Sequence, residues 1–251
     1  MKKTHLSLIF GVASLSVAIC TCATYIHNNL QPQQFALPAD FTITAHTGCE
    51  NAEDNSLESI RKGASAKADI VEIDLNFLKD GSPVLFHDAP DKAKNPVTLD
   101  EAFELLSSLD VMMNVDVKST ANLAAVVTLA EKHNVKDKIF FTGIEEKDVA
   151  AVRANAPSIP YYLNVKIDKK KSADPQYIAS LIEKVKSNGA IGINANFKSC
   201  SAELVSAFRR ENLPVSLWTA NSKNDMYRCL KLAPDNITTR KPSLLKNILE
   251  P

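Results

Sequence analysis

The chain has 251 residues, 45% hydrophobic and 23% charged, a composition that supports a sizeable buried core and excludes a disordered, collagenous or disulfide-stapled chain. Twenty-nine Lys plus Arg balance twenty-nine Asp plus Glu, so no global field draws the protein to nucleic acid, and any anion must be bound locally. Aromatic residues at 6% and seven glycines argue against a base-stacking platform and against a glycine-built phosphate cradle.

Lys2 and Lys3 precede an uncharged run from Leu6 to Ile26, the form of an export signal or membrane anchor, so a hydrophobic helix is expected within residues 1–27. A run of about twenty apolar residues can span the hydrocarbon, which favours an anchor with the domain on the extracytoplasmic side. Thr21 and Ala23 keep cleavage, and therefore secretion, open. Val17-Ala18-Ile19-Cys20 fits a lipoprotein signal poorly, because Ile19 is bulky where a small residue belongs. Residues 28–40, rich in Gln, Pro and Asn, read as a linker. Beyond them Cys49, Cys200 and Cys229 form no close pair and write neither a disulfide framework nor a metal site.

From residue 41 to 251, β-rich runs alternate with helical spacing. Strands are predicted near 41–45, 69–75, 111–117, 139–142, 159–166, 190–194, 215–219 and 235–238. Eight strand-helix pairs make this an α/β chain and predict a closed (β/α)₈ TIM barrel, with an open doubly wound sheet as the competing topology. Helix starts are marked by Asn55 with Glu58, Thr98 with Glu101 and Ser222 with Asp225. After the second strand, Asp80-Gly81 between apolar runs predicts a small hairpin insertion that carries His87 back toward the barrel mouth.

The reactive mouth of such a barrel lies at the carboxyl ends of its strands. There the chain places His46 after the first strand, Glu72 and Asp74 on the second, His87 after the hairpin, and Asp116 and Lys118 on the third. Strand periodicity of two puts Glu72 with Asp74, and Asp116 with Lys118, on one face. Three converging carboxylates repel one another and resist burial, which calls for one divalent cation; hard oxygen donors suit Mg²⁺ or Ca²⁺. The two imidazoles, titrating near neutrality, are then free to accept and donate a proton. Tyr162, Asn164 and Lys166 alternate onto one face, and Lys166 is a candidate second cation for the site. Trp218, the single tryptophan, ends an apolar run and either floors a pocket or fills the barrel. Asn236-Ile237-Thr238 is a glycosylation pattern in a predicted strand, a poor place for a glycan.

The blocks Ala45-His46-Thr47-Gly48, Asp54-Asn55-Ser56-Leu57, Val71-Glu72-Ile73-Asp74 and Lys79-Asp80-Gly81-Ser82-Pro83-Val84-Leu85-Phe86-His87-Asp88 resemble the glycerophosphodiester phosphodiesterase family. Leu217-Trp218-Thr219-Ala220-Asn221 and the segment from Asp235 to Pro242 resemble its late strands. The resemblance implies a TIM barrel that hydrolyses small or lipid-derived glycerophosphodiesters to glycerol 3-phosphate and an alcohol with one divalent cation. It implies Glu72, Asp74 and Asp116 as metal ligands, His46 and His87 as the catalytic pair, Lys118 on the phosphate and Trp218 at the glycerol. The chain departs from the pattern where Thr47 replaces the usual Arg, removing a bidentate phosphate contact, where Asp54 and Asp116 replace Glu, and where Arg240 replaces an acidic residue and is read as structural. A cyclising, phospholipase-D-like activity on lysophospholipids and a non-catalytic phosphodiester-binding barrel are the alternatives. Partners expected are the substrate and, through residues 1–27, a membrane; nucleic acid is not expected.

Overall fold

The computed structural model describes residues 35–88 and 95–250. The expected hydrophobic helix in residues 1–27 and most of the linker fall outside them. Among the described residues, no helix is long and apolar enough to cross a membrane.

Nine strands occur among the described residues: β1 (Thr42–Ala45), β2 (Ile70–Phe77), β3 (Pro83–Leu85), β4 (Met112–Val117), β5 (Ile139–Ile144), β6 (Tyr161–Asn164), β7 (Gly192–Asn196), β8 (Val215–Trp218) and β9 (Asn236–Thr239). Because β1 pairs in parallel with both β2 and β9, the sheet closes on itself as an eight-stranded parallel barrel, with β3 added antiparallel to β2. This closure rejects the open doubly wound sheet. The β2–β3 reversal is the predicted hairpin: Gly81 takes φ 85°, and the Asp80 carboxylate accepts from the Ser82 amide at 2.9 Å.

Among the described residues, eight α-helices pack outside: α1 (Leu57–Ser65), α2 (Leu99–Ser107), α3 (Leu123–Lys132), α4 (Val149–Asn155), α5 (Pro175–Ser187), α6 (Ala202–Arg210), α7 (Lys223–Leu232) and α8 (Pro242–Leu249). Side chains start several of them by accepting an orphan amide: Thr98, in a full capping box with Glu101, Ser222 from Asp225, Ser201 from Leu204, and Asp174 from Tyr177. The cap of α1 is Ser56, which accepts from Ser59; the predicted cap Asn55 lies one residue too early and is used otherwise.

Strand alternation sorts the interior. Val71, Ile73, Leu75, Val115, Ile193, Leu217 and Ile237 join the continuous hydrophobic core. Their alternates Glu72, Asp74, Asn114, Asn194, Ser216 and Asn236 are buried polar residues. Hydrogen bonds satisfy them, as burial requires. The Asn236 amide donates to the Thr42 and Thr44 hydroxyls, both at 2.9 Å, while its carbonyl oxygen accepts from Ser216 at 3.0 Å. Only 5% exposed, Asn236 is closed to a glycan in the folded chain. Toward the carboxyl ends of the strands the polar layer becomes ionic.

Candidate active site

Parallel pairing sets Asp74 beside Asp116 and Glu72 beside Asn114, so one carboxylate oxygen from each of Glu72, Asp74 and Asp116 lies within 4.8 Å of the others. Glu72 and Asp74 are 4% and 3% exposed. Each is aimed by a specific donor. The Thr47 amide donates to Glu72 Oε2 at 2.7 Å, and Asn55 Nδ2 donates to Asp74 Oδ2 at 2.8 Å. Asp116 Oδ2 accepts from Lys118 Nζ at 2.7 Å, and the same ammonium lies 3.0 Å from Asp74 Oδ1.

Burial, then the charges of Asp74 and Asp116, push the Glu72 carboxyl well above its usual range. Burial works against the Lys118 ammonium, but Asp116 and Asp74 outweigh it and raise the group above its ordinary value. One ammonium thus faces three acids. Asp116 Oδ1 is buried with no hydrogen-bond partner. Three converging hard oxygen donors, on carboxylates of which one keeps an orphaned oxygen, fit a divalent cation. Room for Asp116 depends on Gly143: at φ 75°, any Cβ there would collide with Asp116 Oδ1 and the Val117 carbonyl.

His46 Nδ1 lies 2.9 Å from the Thr47 carbonyl, an acceptor only, so Nδ1 carries the proton and Nε2 presents a lone pair when the ring is neutral. Burial, countered in part by that carbonyl and reinforced by Arg240, lowers its pKa below 6.5. His87 Nδ1 lies 2.6 Å from Asp88 Oδ1, which fixes the proton there and orients the ring at the exposed rim.

Both histidines line one cavity of about 440 Å³ together with Glu72, Asp116, Lys118 and Trp218. The Trp218 indole N–H is buried there without a partner. Sequence reasoning singled out Asn164 but not the other members of the cavity's polar wall, Asn114, Thr142 and Asn194; Thr142 donates to Asn114 at 2.8 Å and Asn194 donates to Asn164 at 3.1 Å. Their signal was available: each is a polar residue alternating with apolar ones near a strand end. A second cavity of about 400 Å³ shares His46, His87 and Lys118 and is completed by Asp54, Asp74 and Arg240.

Two expected substrate residues stand elsewhere. Thr47 is 2% exposed, and its hydroxyl accepts the Asn55 amide at 2.5 Å, so it braces the loop instead of meeting a ligand. Lys166 follows the end of β6 and lines, with Tyr177 and Lys184, an adjoining groove that shares Glu145, Lys147 and Asn164 with the main cavity but includes neither histidine. The strand predicted over 159–166 stops at Asn164, and the alternation that pointed Lys166 inward stops with it.

A closed parallel barrel with two imidazoles, three carboxylates and an ammonium at the carboxyl ends of its strands holds them where enzymes of this fold keep their active sites. The model of the "Glycerophosphoryl diester phosphodiesterase family" matches residues 38–104 and 89–244. The chain belongs to that family and is a phosphoric diester hydrolase. It is 22% identical to a glycerophosphodiester phosphodiesterase of Caldanaerobacter subterraneus subsp. tengcongensis, covering 82% of this chain and 97% of that protein. It is also 22% identical to one from Bacillus subtilis, covering 99% of both. The structure of an Oleispira antarctica phosphodiesterase in complex with the product sn-glycerol-3-phosphate superposes with a TM-score of 0.71 at 20% identity, over 86% of this chain and 98% of that one. A Parabacteroides distasonis glycerophosphodiester phosphodiesterase gives 0.69 at 15% identity, over 84% and 97%.

Proposed function

We propose that the protein hydrolyses glycerophosphodiesters to glycerol 3-phosphate and an alcohol, using His46 as general base, His87 as general acid and one divalent cation. The observation that carries this reading is the convergence of three carboxylates beside two differently tied imidazoles, with Glu72 and Asp116 lining one cavity with both histidines and Asp74 lining the adjoining cavity that shares them. Glu72, Asp74 and Asp116 would hold the cation, which, when bound, withdraws negative charge from the phosphoryl oxygens.

The residues of the chain divide the remaining work. Lys118 holds positive charge beside the diester, and Trp218 offers an apolar wall to the glycerol. His46, its proton parked on Nδ1, takes a proton through Nε2 from the attacking water as its oxygen bonds to phosphorus. His87, doubly protonated with Nδ1–H held by Asp88, gives its Nε2 proton to the leaving alcohol oxygen as the P–O bond breaks. His87 then returns to its starting state with the proton that His46 sheds to solvent replaced from solvent.

Hydrolysis of glycerophosphocholine in ¹⁸O-labelled water, across a Mg²⁺, Ca²⁺ and Mn²⁺ series, tests this directly. Label on the phosphate of glycerol 3-phosphate and loss of turnover in His46→Ala support it. A stable unlabelled cyclic phosphate would assign the cyclising reaction instead, and no turnover of any diester would leave a binding module. His87→Ala should lose roughly 10²–10⁴-fold on glycerophosphocholine but far less on a p-nitrophenyl diester, whose leaving group needs no acid. The basic flank Lys2-Lys3 and the uncharged run after it support work at or beyond the membrane, on its extracytoplasmic side; cell fractionation of the full chain tests this.

A further inference from the structure

The Thr47 hydroxyl is committed to the Asn55 amide inside the protein, so the loop after β1 carries no cation for a phosphate. A guanidinium reaches the same place from the other side of the barrel seam. Arg240 follows β9, and its backbone is pinned at both ends: its N–H donates to Asn221 Oδ1 at 2.8 Å, and its carbonyl accepts from the Glu50 amide at 2.9 Å. The side chain lies across Gly48, with Nη1 3.2 Å from where a Cβ of that residue would stand. Nη2 donates to Asp54 Oδ2 at 3.0 Å.

The Asp54 contact holds one edge of the guanidinium, and no other side-chain hydrogen bond engages it among the described residues. Arg240 lines the cavity that also contains His46, His87 and Lys118, as well as a second one on the side of Glu50 and Asn221. Lys118 is already claimed by two carboxylates, whereas Arg240 has one half-exposed partner and is itself 40% exposed on its side chain. Gly48 creates the space: a side chain at that position would strike the Asp54 carboxylate and displace the pair.

We propose that Arg240, tethered by Asp54, is the phosphate-binding guanidinium of this enzyme, meeting the diester's non-bridging oxygens from the β9 side in place of a residue at position 47. Planar N–H donors in a fixed fork match two phosphoryl oxygens, which a hydroxyl cannot do. The pair is therefore a specificity element: the guanidinium reads the anion, and the tether sets its reach.

The assignment rests on the phosphodiesterase reading, and the test separates the two. Wild type, Arg240→Met, Arg240→Ala, Arg240→Lys and Asp54→Asn are assayed as full chains on glycerophosphocholine with saturating divalent cation, with inorganic phosphate as competitive inhibitor and melting curves recorded alongside. The expected result is a KM and a phosphate inhibition constant both raised roughly ten- to a hundred-fold in Arg240→Met, with kcat changed far less, and smaller rises in Arg240→Lys and Asp54→Asn. Millimolar guanidinium ion should restore part of the loss in Arg240→Ala, which a merely structural role would not permit. Unchanged KM and unchanged phosphate inhibition in Arg240→Met overturn the proposal. Should wild type turn over no glycerophosphodiester, the phosphodiesterase reading fails, and calorimetry with inorganic phosphate decides the guanidinium separately: weaker binding in Arg240→Met sustains it, and equal or absent binding in both proteins ends it.

Discussion

Asn55 and Asp74 grip each other twice: the Asn55 amide donates to Asp74 Oδ2 at 2.8 Å, and the Asp74 backbone N–H donates back to Asn55 Oδ1 at 2.9 Å. Asn55 sits at φ 55°, a left-handed conformation that Asn tolerates and Gly adopts freely. Asn55→Gly therefore removes the amide without adding backbone strain. The expected outcome is a loss of about 1–3 kcal/mol of stability and a divalent-cation affinity reduced roughly tenfold or more. Denaturant melts and calorimetric Mn²⁺ titration check it; unaltered cation affinity would show that the loop does not aim Asp74.

Glu72 gives the cation-free protein a pH dependence of defined sign. Its folded pKa is raised, so above the unfolded value near 4.5 the native state binds more protons than the unfolded chain. Stability then falls as pH rises through that window. Glu72→Gln keeps an acceptor for the Thr47 amide and removes the charge. In EDTA it should melt higher than wild type at pH 7, with the gap closing toward pH 4, while phosphodiesterase activity is lost. A gap that widens on acidification would contradict this account.

At Gly143 an added methyl has nowhere to go. Gly143→Ala must relieve overlap with Asp116 Oδ1 and the Val117 carbonyl while holding a positive φ. A cost of about 1–3 kcal/mol is expected from the backbone conformation. Cation affinity should fall with it, because the easiest relief is rotation of Asp116 away from Glu72 and Asp74. Thermal melts with and without Mg²⁺ read both effects.

Lys166 supplies the negative case. It lies in a groove apart from the histidines, so Lys166→Met should leave KM and kcat for glycerophosphocholine within about twofold of wild type. A KM raised tenfold would return this lysine to the substrate site.

Much of the barrel and its ionic mouth was legible in the sequence, because both follow from local periodicity. On β2 the order Glu72-Ile73-Asp74 states which side chains share the lumen, and the Asp80-Gly81 turn explains how a short hairpin brings His87 to the rim. Contacts between distant segments were not legible. Asn55 matched a capping pattern, yet its partner is 19 residues away on a neighbouring strand, and the cap proper falls to Ser56. The Asp54–Arg240 pair spans 186 positions and left Arg240 to be read as structural. Lys166 failed for another reason: alternation holds only while a strand lasts, and β6 ends at Asn164 next to a β5–β6 register shift.

The seam between β1 and β2 is among the shortest ladders of the barrel, with two paired positions, Thr44 with Ile70 and Ala45 with Val71. Past that point the two edges are stitched by the acids themselves, through Thr47 to Glu72 and through Asn55 to Asp74. The last staves of the barrel are thus hooped by the groups that would grasp the ion. An ion bound there would tighten the rim as it loads, and drift in these acids would tax the architecture as well as the proposed reaction.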